Sequence, residues 1–288
     1  MAVIQWFPGH MAKAKREIEA LMKQVDLVLE LKDARIPYSS TNPLVDEICK
    51  NKPRLVLLNK AGIADKAVTK KWIDYYKENN LLALDIDSMT GYNINKIVQY
   101  SKMALKETFE KRKAKGIIST HIKAMILGIP NVGKSTLINR LAKRKAVNVG
   151  DKPGVTKNQT WIKVNEDLVL LDTPGILWPK FEDQMVGVNL SLCGSIKDEI
   201  VVLEDVCKYG LEYIKNNYPN KLIERYKLDD LNEDEMDLID KISQKRGYLL
   251  KGGLFDRERA VSIILNEIRD NKIGEMSYEV PKGIDQSI

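Results

Sequence analysis

The chain has 288 residues, 44% of them apolar and 30% charged, enough for one α/β domain with a sizeable core and a smaller second unit. No uninterrupted apolar run approaches the roughly 20 residues that a membrane-spanning helix needs, so helical membrane functions are excluded from the expectation. A net charge of +6 permits contact with nucleic acid without requiring it.

In chain order, the opening Trp6-Phe7-Pro8-Gly9-His10 and the lysine-rich helical pattern after it do not resemble a secretory signal, which points to a cytoplasmic protein. Cys49, Cys193 and Cys207 show no metal-ligand spacing and read as reduced, buried thiols. Residues 25–31 (VDLVLEL) and 54–58 (RLVLL) have the leucine- and valine-rich character of buried parallel strands, with a helical pattern from Asn42-Pro43 to about residue 51 between them. A helix over 66–79, a strand over 81–86, a helix over 93–113 and a strand over 122–127 follow. Such alternation predicts a doubly wound, mostly parallel sheet with right-handed crossovers. Residues 161–164 and 168–171, separated by Asn165-Glu166-Asp167, predict a hairpin. Beyond about residue 178 the patterns are helical, over 197–215, 221–226, 233–246 and 256–270. The expected division is therefore 1–179 for the α/β domain and 180–288 for a smaller all-helical domain.

The string Gly128-Ile129-Pro130-Asn131-Val132-Gly133-Lys134-Ser135 reads G-x-x-x-x-G-K-S between a strand and a helix. That context makes a phosphate cradle, in which backbone N–H groups from Asn131 to Thr136 face the phosphates. Lys134 is placed to neutralise β- and γ-oxygens, and the Ser135 hydroxyl to ligate Mg²⁺. Asp172-Thr173-Pro174-Gly175 ends the second hairpin strand. Asp172 at that position can hold Mg²⁺ through a water, and the N–H of Gly175 can meet the γ-phosphate. Between the two motifs, Thr156 is the candidate to close over Mg²⁺ and the γ-phosphate.

A guanine-reading Asn-Lys-x-Asp motif does not follow the phosphate loop. Asn59-Lys60-Ala61-Gly62 precedes it instead, at the end of the 54–58 strand, and Ser88-Met89-Thr90 stands where a base-backing loop would fall. The motif order is thus base reader, base loop, phosphate loop, switch one, switch two. That rotated order resembles the circularly permuted GTPases, and the similarity extends to Gln5-Trp6-Phe7-Pro8-Gly9-His10-Met11-Ala12-Lys13-Ala14, Asp33-Ala34-Arg35-Ile36-Pro37 and residues 171–181. The resemblance implies a P-loop GTPase fold, binding of GTP and GDP with Mg²⁺, and a cytoplasmic role in late assembly of the large ribosomal subunit. It further implies that the helical domain and the GTPase domain contact ribosomal RNA, and it is compatible with a monomer. Basic clusters at Lys13, Lys15 and Arg16 and at Lys143, Arg144 and Lys145 then become candidate RNA phosphate contacts.

The resemblance also defines departures. Gly62 stands where the base reader carries aspartate, the acceptor for guanine N1–H and N2–H₂, so Asn59 and Lys60 remain with weakened guanine selectivity. Gly62→Asp is expected to tighten GDP binding, and Asp65 is an alternative acceptor. Ile176 follows the Asp172-x-x-Gly175 motif and cannot orient water, and by resemblance His10 takes that part. The amide oxygen of Asn131 is implied to help coordinate K⁺ beside the β/γ oxygens. Two functions stay open: a GTPase activated on the subunit precursor, and a nucleotide-gated binding module with incidental turnover. Loss of guanine selectivity at Gly62 would allow a third, an ATPase.

Overall fold

The computed structural model describes residues 16, 18–49, 52–117, 121–143, 160–173, 181, 183–232 and 234–281. Six strands form one sheet: β1 (Leu27–Asp33), β2 (Arg54–Asn59), β3 (Leu82–Asp85), β4 (Ile122–Gly128), β5 (Thr160–Lys163) and β6 (Leu168–Asp172). Their order is β3-β2-β1-β4-β6-β5, parallel except for the antiparallel β5–β6 hairpin. The polar triplet 165–167 makes the turn, where Asn165 Oδ1 accepts from the N–H groups of Asp167 and Leu168. β1 is buried along its whole length, which requires cover on both faces. β2 shows how that works: Leu55 and Leu57 join the large core, whereas Val56 and Leu58 point to the opposite face and pack with Trp72 and Tyr76.

Helices α1 (Pro43–Ile48), α2 (Lys66–Glu78), α3 (Ile97–Ala104), α4 (Lys106–Ala114) and α5 (Lys134–Leu141) belong to the sheet region. Asp65 begins α2, its carboxylate accepting from the N–H groups of Ala67 and Val68. The helix expected over 93–113 is two helices. α3 is amphipathic, α4 has no buried residue, and the break between them falls at the fully buried Leu105. An exposed, polar helix has no reason to share the axis of one that must face the core.

Beyond Phe181 the described residues form helices α6 (Gln184–Leu192), α7 (Leu203–Asn217), α8 (Pro219–Tyr226), α9 (Glu235–Arg246) and α10 (Arg257–Arg269), with one isolated bridge, Leu249 to Phe255. α6 is absent from the sequence expectation, and the segment 197–215 divides into a short 3₁₀ turn and α7. Pro219, expected as punctuation, occupies the first turn of α8, where its missing N–H costs nothing. None of the described helices is long and apolar enough to cross a membrane. The three cysteines are free and buried, and burial pushes each thiol up to about 12.

After α10 the chain returns to the sheet as an extended strap. Met276 N–H donates to the Ile63 carbonyl at 3.1 Å, Tyr278 N–H to Arg35 at 2.8 Å, and Trp72 Nε1–H to Glu279 at 3.0 Å. Beneath the strap, Arg35 forms a two-pronged ion pair with Asp33, Nε to Oδ1 at 3.0 Å and Nη2 to Oδ2 at 2.9 Å, and Nη2 also donates to the Cys193 carbonyl at 3.2 Å. Burial alone would raise the Asp33 carboxyl; the charges of Arg35 and Lys60 overcome it and hold the group well below the ordinary carboxylate range. Removing one member of such a pair leaves a buried charge exposed to no partner of equal geometry. Arg35→Met should therefore lower unfolding free energy by about 3–5 kcal/mol, read as a shifted urea midpoint.

Candidate functional site

All parallel strands end at one edge of the sheet, and the strand order reverses between β1 and β4, which are direct neighbours with Leu31 opposite Gly128. Open α/β sheets bind ligands in the crevice at such a reversal. The loops leaving β2, β3, β4 and β6 carry Asn59, Ser88, the 128–135 loop and Asp172, so the fold brings these predicted site residues to a common edge.

Asn59 holds three of these pieces together. Its Oδ1 accepts from Ser88 N–H at 2.9 Å and from Ser88 Oγ at 2.8 Å, while its Nδ2 donates to the Val132 carbonyl at 2.7 Å. The side chain is buried, so each of these bonds is shielded from water. The contact also explains Gly133. A Cβ built there would lie 2.4 Å from Asn59 Nδ2, and the backbone is in the left-handed region at φ +96°. Any other residue would push the base-reading loop off the phosphate loop.

Lys134 opens α5 and points inward, its Nζ 3.0 Å from Asp172 Oδ1. Burial lowers the tendency of this ammonium to hold its proton, and the Asp172 carboxylate only partly offsets that. A cation desolvated beside one acid gains from a polyanion placed against the same end of the helix. Thr173 Oγ donates to the Ile126 carbonyl at 2.7 Å and fixes the end of β6 to β4. Asn131, left-handed at φ +57°, donates from Nδ2 to the Gly194 carbonyl at 3.0 Å, linking the phosphate loop to the turn after α6. Ser135 and Thr136 lie in the first turn of α5. His10, Thr156, Gly175 and Ile176 lie outside the described residues, as do Lys13, Lys15, Arg144 and Lys145.

Lys60 is expected to pack against a base. Its ammonium pairs with Asp33 Oδ2 at 2.8 Å, and its backbone is left-handed at φ +63°. Asp65 is not available as an alternative base reader: besides capping α2, its Oδ2 accepts from the Tyr218 hydroxyl at 3.2 Å, and its own N–H donates to Ser277 Oγ. Gly62→Asp meets a neighbour that the sequence alone does not show. A Cβ at residue 62 would lie 2.6 Å from Asp87 Oδ2, so an aspartate there meets a carboxylate already in place.

Two residues of the site escaped the sequence reading. Asp87 closes the base loop, Oδ1 accepting from Met89 N–H and Thr90 N–H at 2.8 Å each and Oδ2 from Gly62 N–H at 3.1 Å. Arg140 reaches from α5 to the same loop, donating from Nε to the Ser88 carbonyl at 2.8 Å and from Nη2 to that of Met89. An acid before a serine in a turn signals a capped turn, but nothing local marks Arg140. Met89 itself is exposed at the loop tip.

Sheet order, phosphate loop and base loop together define a circularly permuted P-loop GTPase. Comparison with known proteins agrees. Residues 123–241 match the family described as "50S ribosome-binding GTPase". Ribosome biogenesis GTPase A of Bacillus licheniformis is 52% identical over 97% of this chain and 99% of that protein. The Thermotoga maritima protein of the same name is 32% identical over 98% and 96%. A GNP-bound crystal structure of YlqF from T. maritima superposes with a TM-score of 0.69 at 27% identity, covering 94% of this chain and all of the other. A GDP-bound YlqF structure gives the same TM-score at 26% identity, over 93% of this chain. The chain belongs to the ribosome biogenesis GTPase A family, and it is a GTPase.

Arg140 is exposed, so its two bonds to the base loop are worth about 1 kcal/mol together. Arg140→Ala should weaken GDP binding roughly fivefold in a fluorescent-nucleotide titration and lower unfolding free energy by no more than about 1 kcal/mol.

Proposed function

We propose that the chain binds GTP across the β1–β4 crevice and hydrolyses it on the large ribosomal subunit during late assembly. The purine lies between Asn59 with Lys60 and the Ser88-Met89 loop, and the polyphosphate lies in the 128–135 loop. The Asn59 bridge carries this reading, because one side chain sets the spacing between the base-reading and phosphate-holding loops. GDP- and GNP-bound relatives of the same fold support guanine nucleotides as the ligands.

Mg²⁺ fits the oxygen donors at hand. Ser135 lies in the first turn of α5 and Asp172 ends β6, two oxygen donors of the kind that such an ion takes beside phosphates. Ser135 and Thr156 would contact it directly and Asp172 through water, and it would neutralise charge building on the phosphates. With its amide nitrogen on Gly194, Asn131 keeps its oxygen as the end suited to K⁺. Lys134 holds the phosphates from the helix terminus, and Gly175 N–H meets the γ-phosphate. Ile176 is aliphatic, so His10 orients the attacking water.

Residues 1–179 make the GTPase domain and 180–288 the RNA-contacting helical domain. The large precursor subunit and its RNA are the partners, met by the chain as a monomer in the cytoplasm. Lys102 pairs with Asp167 and Arg112 with Asp26, so these two cations are engaged within the chain. Phosphate contacts then fall mainly to the clusters near residues 13–16 and 143–145, and binding should weaken steeply with salt.

The test is GTP turnover with and without large subunits, in KCl and in NaCl. Subunits should stimulate the rate strongly, and more in KCl; a flat response would leave only a nucleotide-gated binding module. His10→Ala should remove the stimulation, by about 100-fold or more, while GDP affinity stays within twofold.

A further inference from the structure

A pocket that accepts guanine and refuses adenine must present an acceptor to the N1–H and 2-amino donors, and Gly62 has no side chain to supply one. The carboxylate nearest to that gap belongs to Asp87. Its Oδ2 lies 2.6 Å from where a Cβ on residue 62 would sit and takes the Gly62 N–H at 3.1 Å. Asp87 is only 5% exposed, and it immediately precedes Ser88, which Asn59 grips. The acid thus stands beside residue 62, carried by the base loop instead of the base-reading loop.

Building on the guanine-nucleotide reading above, we infer that Asp87 is the guanine-specificity residue of this chain, its carboxylate replacing the one absent at Gly62. The chemistry allows it. A carboxylate offers about four acceptor positions, and three are taken by the N–H groups of Gly62, Met89 and Thr90. One remains for the purine 2-amino group, and the three backbone donors fix the carboxylate in place. Gly62 is then a requirement of the arrangement and not a lesion. A second carboxylate at residue 62 would collide with the first and repel it.

The inference is tested by titrating the full chain with GDP, IDP, XDP and ADP. Hypoxanthine lacks the 2-amino donor, and xanthine replaces it with an acceptor. The unaltered chain should bind GDP roughly 10-fold or more tightly than IDP and reject XDP and ADP. Asp87→Asn presents a donor, so it should weaken GDP roughly 10- to 100-fold and strengthen XDP. Gly62→Asp alone should weaken GDP, and Gly62→Asp combined with Asp87→Gly should recover affinity above either single variant.

Equal binding of GDP and IDP by the unaltered chain would overturn the inference without any variant. So would an Asp87→Asn protein that loses GDP and XDP in parallel, the result expected if the acid only shapes its turn. GDP affinity unchanged in that variant would overturn it too. Failure of the unaltered chain to bind GDP at all would instead bring down the guanine-nucleotide reading itself.

Discussion

The pocket depends on how closely Asn59 approaches Gly133. Strand β2 delivers Asn59 to the sheet edge, and β4 delivers the phosphate loop two strands away, on the other side of β1. A single amide spans that gap by accepting from Ser88 and donating to Val132. The span is possible only because residue 133 has no side chain. The amide leaves no slack: both of its polar atoms are used and it is buried. The base-reading and phosphate-holding loops are far apart in sequence, so their spacing comes from side-chain bonding and sheet packing alone.

Below that contact lies a second layer of charge. Asp33 receives Arg35 and Lys60, and Arg35 continues to the Cys193 carbonyl after α6. The base-reading loop is thereby tied to the helical region through its own lysine. The cost of burying three charges is met by two-pronged geometry and by the Arg35 N–H, which also donates to Asp33 Oδ1. The value of such a network lies in fixing orientation, since an apolar replacement would pack at similar energy but would not orient Lys60.

Much of this was legible in sequence. The phosphate loop, the parallel strands and the hairpin were readable because each is a local pattern: a fixed spacing, a buried β-branched run, a polar triplet between two runs. α6 was missed for a physical reason. Residues 186 to 192 are buried on every side, so the helix has no polar face and no period to detect. The division between α3 and α4 was hidden by the opposite condition, a polar helix directly following an amphipathic one. Asp87 and Arg140 act through partners 25 and about 50 residues away, and no window along the chain contains both ends of those bonds. The neighbour of Gly62 is hidden for the same reason: the nearest side chain, Asp87, comes from the next loop.

The helical half is joined to the nucleotide edge at three places besides the chain connection. Asn131 reaches Gly194, Arg35 reaches Cys193, and the strap bonds Ile63, Asp65 and Trp72. The first joint sits on the phosphate loop, and the third sits just past the base-reading residues. Two of the three anchors therefore lie on different loops of the same sheet edge. Tyr218 strengthens the third, since its hydroxyl contacts Asp65 Oδ2 and receives Ser277 N–H at 3.2 Å. A shift at the phosphate loop is opposed at the base-reading end unless both move. Such bracing favours discrete rearrangement over gradual drift, because tightly packed joints are bistable and not continuously deformable. Permutation contributes to this by placing the helical region after β6 in the chain, so the helices meet the sheet through that connection at one end and through the strap at the other.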